Sequence, residues 1–138
     1  MNLFFKSKDG GPESNVTGYW LIEWKKLFSV AILRFDKGSR EAFHNHAFTA
    51  LSWVLKGSLM EERTRGTKNY LTASWVPILT RRSRLHKVHG LVDRTWVLTF
   101  RGPWHSCWVE YNKDTGKFTT LTNGRKILNE NSNNRQSS

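Results

Sequence analysis

The chain has 138 residues, 38% of them hydrophobic and 13% aromatic, with seven Trp; this is enough for one domain, excludes intrinsic disorder and predicts a core built from large rings. Lys and Arg outnumber Asp and Glu 22 to 11, giving a net charge of +11 and a pI near 10.2, a field that draws anions but specifies no site by itself. A single cysteine, Cys107, excludes intrachain disulfides and zinc sites made of paired thiols, and it fits a reducing cytoplasm.

The apolar run around Leu3-Phe4-Phe5 is too short for a signal peptide or a membrane span. Lys6 to Ser14 collects Gly, Pro, Ser and charge, so residues 1–18 read as a lead-in segment before the first ordered strand. From Tyr19 the composition turns aromatic and β-branched. Tyr19 to Trp24 and Phe28 to Phe35 predict strands, and Asp36-Lys37-Gly38-Ser39 a turn. Further strands are predicted over Thr49 to Leu55, Ser58 to Thr64, Tyr70 to Leu79, His86 to Val88, Thr95 to Phe100 and Cys107 to Tyr111. Thr95 to Arg101 alternates most clearly, with Trp96, Leu98 and Phe100 on one face and Thr95, Val97, Thr99 and Arg101 on the other. Asp114-Thr115-Gly116-Lys117 predicts a terminal hairpin, and the polar stretch 129–138 a mobile tail. Residues 19–128 are therefore expected to form an all-β domain, a sandwich or a closed double-sheet barrel.

The histidines carry the chemistry. Residues i and i+2 of an extended segment share a face, so His44 and His46 offer two imidazoles to one ion while Asn45 faces away. A third donor from the distant pair His86 and His89 would complete a site with positions left for water and substrate. On Leu59-Met60-Glu61-Glu62-Arg63, only one of Glu61 and Glu62 can face inward, where it would orient substrate or move a proton. Arg63 and Arg101 lie on strands, and their planar forks suit carboxylate or phosphate. Cys107 and the tryptophans Trp53, Trp75, Trp96 and Trp108 read as core.

Gly38 to His46 reproduces, with the right spacing, the opening Gly and His-x-His pair of the first motif of the cupin superfamily, and Lys56-Gly57-Ser58 supplies its closing glycine. Ala73 to Leu79 followed by Arg81 to Val88 is similar to the second motif, and Thr95 to Trp104 resembles the last barrel strand of short bacterial and phage cupin-like proteins. The resemblance spans roughly Phe28 to Tyr111. It implies a double-stranded β-helix, the jelly-roll barrel, with a metal held by His44, His46 and His86, the last favoured over His89. The family's glutamate falls near Ala50 or Leu51, neither of them a ligand. The result is a three-histidine site, which resembles that of the thiol dioxygenases and implies Fe(II) first, with Zn, Mn or Ni also suited. The expected function is a metal-dependent enzyme acting on a small anionic substrate, with arginines fixing the negative group. The alternative is a non-catalytic barrel that captures a nucleotide or other phosphorylated molecule. Nucleic acid ranks last as a partner because no recognised motif accompanies the charge; a homodimer is a reasonable assembly.

Overall fold

The computed structural model describes residues 1–9, 14–39, 43–105, 107–112, 115–122 and 127–132. These form two antiparallel sheets facing one another, with strands numbered in chain order. The first sheet runs β1 (Asn2–Lys8), β2 (Val16–Trp24), β3 (Phe28–Phe35), β11 (Thr95–Arg101), β6 (Ala50–Lys56), β9 (Ile78–Thr80). The second runs β14 (Ile127–Ser132), β13 (Lys117–Thr122), β12 (Cys107–Asn112), β5 (Phe43–His44), β10 (His86–Gly90), β7 (Ser58–Arg63), β8 (Lys68–Thr72), with the short β4 (Gly38–Ser39) also paired to β10. Sequence neighbours often lie in different sheets, the arrangement of a jelly roll.

The alternation of β11 decides the interior. Thr95, Val97, Thr99 and Arg101 are buried between the sheets, whereas Trp96 and Leu98 are half-buried and Phe100 exposed on the outer face. The larger apolar side chains thus sit outside, where Trp96 meets Tyr19 and Phe100 meets Trp53 at ring distances of 5.7 Å. The inner core joins Val16, Trp20 and Leu33 of the first sheet to Leu59 of the second. Gly57, in the turn from β6 to β7, has φ +92° and packs directly on Thr95. A β-carbon has no room there, and the left-handed conformation disfavours any other residue.

Four expectations change. The lead-in segment contains a strand: β1 pairs with β2, which begins at Val16 rather than Tyr19. The cause is Phe5, which stacks on Trp20 at 5.9 Å, and Ser7, whose Oγ accepts from the Trp20 indole at 3.0 Å. The polar stretch from Asn129 continues in β14 as far as Ser132, because an antiparallel ladder is made by the backbone and needs no apolar side chain; residues 133–138 lie outside the described residues. The strand expected from Tyr70 to Leu79 breaks into β8 and β9, with Pro77 in the crossing between sheets. Trp75 sits on that crossing and is 96% exposed, not in the core.

Candidate metal centre

The second sheet places the histidines through its register. His44 of β5 stands opposite His86 of β10 on one side and Glu110 of β12 on the other. The Asn45 side chain is drawn toward β12, where its Oδ1 accepts from the Val109 amide at 2.6 Å. His44 and His46 flank it and turn toward His86. The three rings form a near-equilateral triangle, with centroids 4.9, 5.0 and 5.1 Å apart, and one ligand nitrogen from each lies within 4.8 Å of the others.

Two of the rings have support behind them. The His46 ring lies parallel to Phe48, 5.0 Å away with an interplanar angle of 3°. His86 is 4% exposed, and its Nδ1 is 2.8 Å from Glu61 Oε2. Burial pushes the Glu61 carboxyl up. The hydrogen bond and charge of His86, followed by those of Arg63, outweigh that and bring it down to about 2. Glu61 is therefore a carboxylate at neutral pH and accepts only, so His86 donates from Nδ1 and presents Nε2 to the other two imidazoles. That Nε2 is buried and has no hydrogen-bond partner among the described residues.

An orphaned imidazole nitrogen is costly in an apolar interior, and a cation shared with two further imidazoles satisfies it. The donor set therefore fits a divalent metal ion, with the carboxylate–histidine pair that commonly supports a metal ligand already in place.

The centre opens on a cavity of about 330 Å³ between the sheets. Its wall includes Trp20, Phe48, Val97 and Trp104, together with Arg101. Arg101 is 6% exposed and lies 5.0 Å from the Trp20 ring and 4.4 Å from the Phe48 ring. Its terminal nitrogens reach the Asp9 carboxylate at 3.3 and 2.7 Å, and its buried Nε has no partner among the described residues.

The structure brings His44, His46, His86, Glu61 and Arg101 to this cavity but not the other expected residues. Glu62 faces the opposite side of β7, as adjacent strand residues must, and pairs with His89 at 3.1 Å. His89 lies three residues from His86 and points away for the same reason. Arg63 shares the inward face with Glu61, yet it lines a separate outer cleft and gives its Nε to Glu61 at 3.2 Å. Asp9, Phe48 and Trp104 went unrecognised in the sequence. Phe48 extends the period-two series from His44 and His46, a signal that was available; Asp9 lies in the stretch read as a lead-in.

Several solved structures are similar in fold. A protein described as a sugar phosphate isomerase of the cupin superfamily, from Silicibacter pomeroyi, matches 95% of this chain and 89% of its own at 11% identity and a TM-score of 0.62. An RmlC-like cupin from Shewanella frigidimarina matches 70% of this chain and 81% of its own at 17% identity and a TM-score of 0.52. HppE in its Fe(II) form matches 71% of this chain and 56% of its own at 10% identity and a TM-score of 0.57. No family model and no curated protein matches the sequence. At these identities the likeness establishes the fold alone: an all-β jelly roll like that of the cupin structures it matches. No helix among the described residues is long and apolar enough to cross a membrane.

Proposed function

We propose that this chain is a metal-dependent cupin enzyme acting on a small anionic substrate, with Fe(II) held by His44, His46 and His86 and dioxygen-dependent oxidation as its reaction class. The observation that carries this reading is the buried Nε2 of His86, without a hydrogen-bond partner among the described residues, at the corner of a three-imidazole triangle facing a cavity. An ion held by the three histidines would supply Lewis acidity and, as iron, redox chemistry toward dioxygen. Imidazole donors discriminate weakly among first-row metals, so Zn, Mn and Ni belong in the same assay.

The chain's own residues prepare that chemistry. Glu61 fixes the tautomer and orientation of His86; it serves as a positioning residue, since a carboxyl held at about 2 has no proton to give at neutral pH. Phe48 fixes the plane of His46. Arg101 brings a guanidinium to the apolar cavity; Asp9 engages its two terminal nitrogens, leaving Nε for the anionic group of the substrate. Trp20, Phe48 and Trp104 give the cavity a largely apolar wall. A relative in fold described as a sugar phosphate isomerase adds phosphorylated compounds to the substrates worth trying, beside small thiols and acids.

The test is elemental analysis of anaerobically purified protein beside the His44→Ala, His46→Ala double variant, with circular dichroism confirming that both fold. About one transition metal per chain, lost in the variant, is the expected result. Equal and negligible metal in both proteins overturns the reading.

A further inference from the structure

The arginines divide between two places. Arg101 is inside the barrel, whereas Arg63, Arg65, Arg81 and Arg84 line an outer cleft of about 620 Å³ that shares no lining residue with the interior cavity. The cleft lies where the turn after β7 meets the segment between β9 and β10. Asn69 and Ser83 add neutral hydrogen-bonding groups, and no carboxylate lines it.

Four guanidinium groups around a space without a counter-charge repel one another, and an anion relieves that repulsion. Glu61 does so only from behind: it is 7% exposed, and it reaches Arg63 at 3.2 Å and Arg84 at 3.9 Å while its other contact is His86. Arg65 and Arg81 are exposed and make no ion pair among the described residues. A lone phosphate is too small to reach guanidinium groups spread around a cleft of this volume, whereas linked phosphates present several charges and bidentate acceptor edges at once.

We propose that this cleft is a second ligand site, separate from the metal centre, for a small molecule bearing two or more linked phosphates. Such a ligand engages Arg65 and Arg81 through both guanidinium forks and draws on the outward-facing parts of Arg63 and Arg84. The site requires no metal and does not depend on the function proposed for the interior.

Isothermal titration with tripolyphosphate, using orthophosphate as comparison, tests the assignment on wild type, on Arg65→Ala, Arg81→Ala and on His44→Ala, His46→Ala. Binding is expected in wild type and in the histidine variant alike, weaker by about tenfold or more in the arginine variant, and weaker again for orthophosphate. Both arginines are exposed, so their removal leaves the fold intact, which circular dichroism verifies. Equal affinity in wild type and the arginine variant overturns the assignment. Loss of binding in the histidine variant overturns it as well, by moving the ligand to the interior. A short single-stranded RNA that displaces tripolyphosphate and depends on the same two arginines replaces the small-molecule ligand with nucleic acid and overturns the proposal as stated.

Discussion

The Glu61→Gln substitution separates the charge of Glu61 from its shape. Glutamine keeps an oxygen that accepts from His86 Nδ1 but loses the negative charge. The native carboxyl stands at about 2 against an ordinary 4.5. A carboxyl whose pKa falls on folding stabilises the native state fully above its unfolded value and loses that contribution as the pH drops through its folded value. The Glu61 share is therefore complete above about pH 4.5, declines through the window below it and is gone near pH 2. The interval corresponds to about 3 kcal/mol, and with the Glu61 side chain 7% exposed, solvent screens little of its pairing with His86. The partner Arg63 is 35% exposed and contributes the more screened part. Urea unfolding of metal-free wild type and variant between about pH 6 and about pH 2.5 reads the difference directly. The expected result is a gap that closes as the pH falls through the window. Parallel curves would refute the argument, because they would mean that Glu61 carries no interaction specific to its charged form.

Two other substitutions test the frame around the site. Gly57→Ala places a β-carbon against Thr95 Oγ1 and 2.8 Å from Thr95 Cα, at a φ of +92°; thermal melts should show a loss of about 2 to 4 kcal/mol. Arg101→Met keeps much of the stem volume between Trp20 and Phe48 but removes the guanidinium that engages the Asp9 carboxylate, whose side chain is 26% exposed. Chemical denaturation should show about 2 to 3 kcal/mol lost, toward the low end for a broken buried pair because Asp9 can turn to solvent.

Much of the barrel was legible in the residues. The alternation of Thr95 to Arg101 announced a two-faced strand, but periodicity cannot say which face looks inward. Only closure of the two sheets turned Val97 and Thr99 to the interior and left Trp96 outside. His44 and His46 could be assigned to one face because they lie two apart, and Glu61 and Glu62 to opposite faces because they are adjacent. The family resemblance already favoured His86 over His89, but choosing Glu61 over Glu62 needed the register between β7 and β10. The strand at the N-terminus escaped because its stabilising partner, Trp20, is distant in sequence and the connecting residues look like a loop. Arg63 was assigned by strand position alone, and the outer cleft shows why that was insufficient: an inward-facing residue at the end of a strand can reach past the rim.

The stack of His46 on Phe48, a ring that Arg101 also contacts, has a thermodynamic side. A histidine on a mobile segment must give up rotamer freedom when it captures an ion, at about 1 kcal/mol per side chain. Here His46 is held flat against an aromatic ring and His86 is tethered to a carboxylate, so two of the three donors surrender that freedom when the barrel folds. The ordering cost falls on folding stability rather than on metal capture. A sequence change that loosened Phe48 would weaken affinity for the ion without touching a single ligand atom.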